Sequence, residues 1–576
     1  MAVAEPGLWV ARTARRWQAS EGWVRIAAVA LVGALVLLPM GWLVAISLRK
    51  SMYQPGLTLA WYGYILRDPA LWQRFWLTML VSGATTLFCL AVGLPIAWFV
   101  ARTNMPMAGL MESIAILPFA LPPLIGALAW SNLLAPRTGL LNMLLRQLFN
   151  LPGDSGPINL YSAWGIAFVM GLYYSPYVIQ FAAAALKSMD SSLEEAARVF
   201  GASSFATASR VTLPLILPAI LSSGLLAFIF AAGQFTIPTL LGVPAGIYLY
   251  TTTIYQKMKL WPPNEPLATA LGMVLVLVIA ALTWLRRRML ARGSFTTVTG
   301  KGFRPAVVNL GVLRWPAALF CLGYIGVAVV LPMLSLVYGS VLSYWRPTLR
   351  VEDFTLRNYA VLLRHPLTWN ALKNSLVLSI GGSTAAMALA TVVAFLTVRA
   401  RDGASRLLNY LSMLPAAVPG VVFGVGVLVA FIRPPLVLYG TIWILLVGYL
   451  SHFLPVAVNA ASSSLMQVHP ELEESARLFG AGFLQTLWRV TVPLILPGLL
   501  AGWVSLVIIF LRELAISIFV YSPGNEVLAV QLFELWNDGR VSVASALSVI
   551  LAIITWALVA ALRRISRSRT PQAVSG

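Results

Sequence analysis

Twelve apolar runs of about 20 residues each constrain this chain more than any single motif does. They lie near 25–47, 76–100, 112–134, 161–183, 215–241 and 267–285, and again near 315–342, 374–398, 407–432, 437–459, 495–520 and 541–562. Each is long enough to cross a hydrocarbon core roughly 30 Å thick. An open sheet cannot satisfy its backbone groups in lipid, so the runs read as about twelve transmembrane helices, an all-α polytopic membrane protein. The bulk chemistry agrees: of 576 residues 59% are hydrophobic and 10% charged, and the mean hydropathy is +0.83. A soluble domain has a different balance.

The net charge of +21 would point to nucleic acid in a soluble protein, but here the basic residues gather in short connections that alternate along the chain, so no nucleic-acid partner is expected. Arg12, Arg15, Arg16 and Arg25 precede the first run; Arg286, Arg287, Arg288, Arg292, Lys301, Arg304 and Arg314 separate the sixth from the seventh; Arg563, Arg564, Arg567 and Arg569 follow the last. Positive charge favours the cytoplasmic face, which is expected to put both termini and the central linker in the cytoplasm. Arg49, Lys50 and Arg364 run against that bias. The first run is too long for a signal peptide and has no evident cleavage site, so it reads as retained. Cys89 and Cys321 fall inside apolar runs and read as small buried hydrophobes. His365, His452 and His469 fall on three different segments and form no metal cluster.

An internal repeat divides the chain. Residues 194–218, EEAARVFGASSFATASRVTLPLILP, match 473–497, EESARLFGAGFLQTLWRVTVPLILP, without a gap at an offset of 279. Earlier landmarks, Arg102 with Arg399, Pro118 with Pro415 and Pro122 with Pro419, stand at an offset of 297, which leaves 18 extra residues in the first half. They fit the polar stretch around 137–159, a loop where insertion is tolerated. The organisation expected is an arm at 1–24, a six-helix domain at 25–285, a basic linker at 286–314, a second six-helix domain at 315–562 and a tail at 563–576. Six spans return the chain to the same side, so the repeat is parallel, with its pseudo-two-fold axis along the membrane normal.

The repeated segment is the least membrane-like part of each half, and the charge pattern puts it in the cytoplasm between the fourth and fifth spans, over 186–214 and 465–493. Ser191 and Ser192 stand three residues before Glu194 and Glu195, the spacing of a capping box, and Pro470 suits a first helical position. Glu195-Ala196-Ala197 and Glu474-Ser475-Ala476 join one acid to small side chains, so a partner could approach the helix closely. Gly201 and Gly480 can end that helix at positive φ. Arg210 and Arg489, then Pro214/Pro218 and Pro493/Pro497, lead back into the bilayer.

Glutamate, two small residues, a glycine four positions on and a proline-terminated apolar end resemble the EAA loop of ABC importer permeases, with Ser475 as the one departure. The resemblance covers essentially the whole chain as two fused permease domains of the type I importer fold. It implies a coupling helix in each half that docks on a cytoplasmic ATPase, through Glu194, Glu195, Ala196, Ala197 and Gly201 in the first copy and Glu473, Glu474, Ser475, Ala476 and Gly480 in the second. It further implies a place in the bacterial inner membrane, two ATPase subunits, which bind the ATP and magnesium, a periplasmic substrate-binding protein, and no cofactor or catalytic residue in this chain. No G-x-x-x-x-G-K-[ST] phosphate loop occurs in the sequence.

The segments 101–130 and 510–540 are most similar to the ferric iron branch of these permeases, and the thiamine, 2-aminoethylphosphonate, polyamine and sulfate branches share much of the pattern. The one ionisable pair deep in an apolar run is Arg512–Glu513, with Gln234 at the matching position of the first half. Intramembrane charges face protein or water, so these residues either line the translocation path or form a structural contact between helices. Pro118, Pro122, Pro123, Pro415 and Pro419 are expected to kink the third helix of each half. The alternative from another class is an ion-coupled secondary transporter, which needs no repeated docking helix and usually carries titratable groups in several spans.

Overall fold

In the computed structural model the backbone demand of the bilayer is met by helices. The structure describes residues 6–51, 56–115, 117–189, 192–292, 307–346, 351–400 and 402–568; Ser191, Lys301, Arg304 and Arg569 lie outside them. Among the described residues, strand pairing is confined to three isolated bridges. Ten helices among the described residues are long and apolar enough to cross a membrane: Glu21–Ser47, Pro69–Arg102, Ala163–Ser188, Ala208–Ala232 and Glu265–Met289, then Gly311–Ser340, Pro366–Arg399, Ile442–Leu465, Phe483–Leu511 and Val541–Leu558. Each half supplies five.

The expectation of about twelve spans, the third of each half kinked at proline, is refined at that third run, where the helix is divided rather than kinked. In the first half that run is split into Ala108–Ile114, Leu117–Ala120 and Pro123–Leu134. In the second, Gly403–Ala417 and Gly420–Phe431 meet at 113°, and count as an eleventh crossing only if taken as one bent span. The cause is local. A residue before proline is pushed out of the α region, and Val418, before Pro419, has φ −106° and ψ 123°.

The fifth run of each half is also shorter than its hydropathy suggests. The helices end at Ala232 and Leu511, and the chain resumes as Thr236–Leu241 and Ser517–Val520. Gln234, Arg512 and Glu513 therefore sit in breaks between helices.

Two compact units cut across the sequence halves. One takes the chain up to Leu57, His365–Gln531 and the chain from Ile553; the other takes Thr58–Arg364 and Leu532–Ala552. The first helix of each half has thus crossed into the body built by the other half.

Within the first of these units, Pro6–Ser47 packs against Gly403–Met413, Gly420–Phe431 and Ile442–Leu465. Gly426 makes the crossing possible, because a Cβ there would stand 2.8 Å from both Leu43 Cγ and the Pro39 carbonyl oxygen. Arg25 bridges Glu21 and Asp402 near the start of the span. Small residues allow such close backbone approach in a membrane, where packing replaces the hydrophobic effect as the cohesive force.

Within the other unit, Gly311–Ser340 lies against first-half helices. The Tyr324 hydroxyl donates to the Leu172 carbonyl at 3.0 Å, and the Ser335 hydroxyl to that of Ala129 at 3.1 Å. Both cysteines are buried apart from any disulfide, and Cys321 Sγ lies 3.7 Å from Met105 Sδ.

Candidate coupling helices and the joints beneath them

Each copy of the repeat builds the same local structure. A short helix, Ser192–Val199 or Glu471–Leu478, is stopped by a glycine in the left-handed region, Gly201 at φ +82° and Gly480 at +85°. The Ala202 amide donates to the Ala197 carbonyl, and the Ala481 amide to that of Ala476, both at 3.0 Å. This six-to-one bond is the Schellman closure expected at such a stop, so Ala197 and Ala476 serve the helix end through their backbone. Pro470 stands just ahead of the second helix as its cap residue.

The return to the membrane is widened in both copies. Ala208–Thr212 and Leu487–Thr491 are π turns, with the Leu213 amide bonded to the Ala208 carbonyl and the Val492 amide to that of Leu487. Pro214 and Pro493 follow at once; each lacks an N–H and crowds the carbonyl four residues back. A wider turn accommodates that crowding.

The paired glutamates have opposite surroundings. Glu195 and Glu474 are exposed beside exposed Ala196 and Ser475. Glu194 and Glu473 point inward, with side chains 5% and 1% exposed, toward arginines at the ends of the Pro69–Arg102 and Pro366–Arg399 helices. Arg399 Nε and Nη2 donate to the two Glu473 oxygens at 2.9 and 3.1 Å, and Nη2 also reaches the Val468 carbonyl at 2.9 Å. Arg102 Nη1 lies 3.6 Å from Glu194 Oε2, with Nη2 3.5 Å from the Met189 carbonyl.

A hydroxyl completes each joint. Thr212 donates to Glu194 at 2.6 Å and Thr491 to Glu473 at 3.2 Å. Around the first joint, Ala97, Ala101, Ala182, Ala183, Leu186, Met189, Ile216 and Ile220 form a packed apolar cluster. A buried carboxylate is tolerated only when paired and hydrogen-bonded, and each joint supplies both.

Sequence reasoning aligned Arg102 with Arg399 but gave them no partner, and it passed over Thr212 and Thr491. The signal was a basic residue ending an apolar run at the same place in both halves. Phe200 and Phe479 were missed as well; they precede the glycine stops and are 90% and 87% exposed. An aromatic residue in both copies of the least membrane-like segment was the available clue. Arg210 and Arg489 are exposed.

The breaks in the fifth runs place the remaining candidates. The Gln234 side-chain oxygen accepts the Phe235 amide at 3.0 Å, and the Thr251 hydroxyl donates to the Gln234 carbonyl at 2.7 Å. Glu513 Oε1 accepts the Ile516 amide at 2.8 Å, and the Ser517 hydroxyl donates to the Glu513 carbonyl at 3.1 Å. Tyr449 and Ser517 share a hydrogen bond of 2.6 Å. Both side chains thus satisfy backbone groups that the break releases, and Gln234, Arg512 and Glu513 all remain half-buried. A Cβ on Gly420 would lie 3.7 Å from His452 Nε2 and 3.8 Å from Glu513 Oε1, so the imidazole and the carboxylate flank one glycine. No group of three or more potential metal ligands occurs among the described residues.

A duplicated helical membrane domain carrying one short, glycine-stopped helix per copy is the build of an ABC importer permease. The chain belongs to the family of binding-protein-dependent transport system inner membrane components, whose model matches residues 93–293 and again 367–568; it is a multi-pass inner-membrane protein. A ferric transport system permease protein of Actinobacillus pleuropneumoniae is 27% identical over 86% of this chain and 71% of its own length. A Sinorhizobium fredii relative described as a probable ABC transporter permease protein is 28% identical over 87% and 88%. A Salmonella typhimurium relative bearing the name of a 2-aminoethylphosphonate transport system permease protein is 31% identical over 41% of this chain and 89% of its own.

Proposed function

We propose that this permease carries ferric iron, delivered by a periplasmic binding protein, by alternating access driven by two cytoplasmic ATPase subunits. The observation that carries the ATPase assignment is the duplicated coupling helix. Each copy turns an acid, small side chains and an aromatic residue outward while its other glutamate is held inside, which is the surface of an element made to be gripped. The relative from A. pleuropneumoniae supports iron, since its likeness extends across both halves. The S. typhimurium relative favours a second reading, 2-aminoethylphosphonate, over 41% of the chain.

In this reading Glu195, Ala196, Glu474 and Ser475 meet the ATPases, with ATP and magnesium bound wholly on those partners. Phe200 and Phe479 join that contact. Gln234, Arg512 and Glu513 border the path, because a broken helix is where a membrane protein can present polar groups to a passing ion. The basic clusters support cytoplasmic termini in this reading.

The test is ATP hydrolysis and uptake by the permease reconstituted with its ATPase and binding protein. Stimulation by the binding protein loaded with ferric ion, and not with 2-aminoethylphosphonate, is the expected result. The reverse preference would replace iron with the phosphonate. Uptake driven by a proton gradient with no ATPase present would overturn the importer reading.

A further inference from the structure

The two buried joints bind more than the coupling helices. At Arg399 three membrane helices and the short helix converge. The arginine ends Pro366–Arg399; its Nη2 reaches the Leu465 carbonyl, at the end of Ile442–Leu465, at 3.4 Å and the Val468 carbonyl just beyond at 2.9 Å. Its guanidinium grips Glu473 on the short helix through two bonds, and Glu473 accepts from Thr491, which leads into Val492–Leu511. Arg102 stands at the same convergence in its own unit, with Met189, Glu194 and Thr212.

A packed helix end connected through one bidentate ion pair moves as a body, because rotating the short helix alone would strip a buried carboxylate of its partners. The exposed glutamate beside it carries no such constraint. Arginine, glutamate, threonine and a helix-end carbonyl meet in both copies, through a two-pronged hydrogen-bonded pair at Arg399 and a 3.6 Å ion pair at Arg102, which indicates that the joint, rather than any one helix, is what the repeat preserves.

We propose that Arg102 and Arg399 are positioning residues for energy coupling: each fixes its short helix to three membrane-helix ends, so that displacement of that helix by the ATPase is transmitted into the membrane rather than absorbed at the loop. This rests on the ABC importer reading. A merely structural arginine would affect how much folded complex is obtained, whereas a transmitting one sets how much substrate moves per ATP hydrolysed by the complex that does form.

The experiment measures that ratio in the full complex of permease, ATPase and loaded binding protein, with the amount of assembled complex determined separately. Arg399→Met, Arg399→Lys, Glu473→Gln and the exchanged pair Arg399→Glu/Glu473→Arg are compared with wild type, together with the matching set at Arg102 and Glu194. The expected result is a fall of at least five-fold in substrate moved per ATP for Arg399→Met, a smaller fall for Arg399→Lys, which keeps the charge but loses the two-pronged geometry, and partial recovery in the exchanged pair.

If Arg399→Met yields no complex, Arg399→Lys and Glu473→Gln decide the matter. A ratio equal to wild type in assembled variants overturns the proposal while leaving the importer reading intact. A wild-type complex whose hydrolysis is indifferent to loaded binding protein overturns the importer reading itself, and the joint then has no coupling to transmit.

Discussion

Glu194 and Glu195 are neighbours in the chain with opposite environments: the first is buried and 3.6 Å from Arg102, the second is open to solvent. Glu473 and Glu474 repeat the division. One glutamate of each pair belongs to the folded permease and the other is available to a partner.

That division separates two kinds of mutant. Glu195→Arg/Glu474→Arg leaves the thermal unfolding of the detergent-solubilised permease within a degree or two of wild type and reduces recovery of the ATPase in co-purification. Glu473→Ala does the reverse to stability: it leaves the Arg399 charge without its carboxylate, a loss of about 3–5 kcal/mol for a buried pair. Equal unfolding temperatures for the two variants would contradict the assignment.

Phe200→Asp and Phe479→Asp test the other part of the exposed surface. The side chains are 90% and 87% exposed, and surface substitutions of this kind usually change stability by no more than about 0.5 kcal/mol. Weaker ATPase recovery with an unchanged melt is expected for both. A melt lowered by several degrees would mean that the aromatic rings pack within the permease.

At Gly201 and Gly480 the cost of a side chain is conformational, since an added Cβ meets nothing within 4 Å at Gly201 and the φ values are +82° and +85°. Alanine there should destabilise the helix stop by about 1–2 kcal/mol, and asparagine by less, because it tolerates the left-handed region. Hydrogen exchange of the Ala202 and Ala481 amides reads this directly, with faster exchange in the order Ala, Asn, Gly. An order with asparagine worst would point to crowding instead.

The break at Glu513 has an internal control, since glutamine already stands at the matching position of the first half. Glu513→Gln keeps an oxygen for the Ile516 amide and should fold as wild type, whereas Glu513→Leu leaves that amide without its acceptor at a cost of about 1–3 kcal/mol. If Glu513→Gln abolishes uptake while the unfolding temperature holds, the carboxylate charge itself serves the path. Retained uptake in that variant would reduce Glu513 to a backbone cap.

The crossing of the first helix is checked at Gly426. Alanine there must displace Pro39 backbone and Leu43, and overpacking costs about 1–3 kcal/mol. A lowered unfolding temperature for Gly426→Ala, relieved in part by Leu43→Ala, is the expected pattern. An unaffected Gly426→Ala would dissociate Pro6–Ser47 from Gly420–Phe431.

The sequence by itself determined the solvent, the helical class, the duplication and the glycine stops, because hydropathy, repeat offset and helix termination are properties of short windows of chain. Prolines told where the third run would bend, though not that the bend would break it into separate helices. Only the tertiary structure decided which glutamate of each pair turns inward, since Glu473 finds its arginine 74 residues away and adjacent helical positions differ in burial only once a neighbour covers one of them. Only it showed Pro6–Ser47 packed within the body of the second half. In lipid every apolar helix face is equally content until close packing selects a partner, and the small residues that permit such packing, Gly426 among them, name no partner from their own position in the chain.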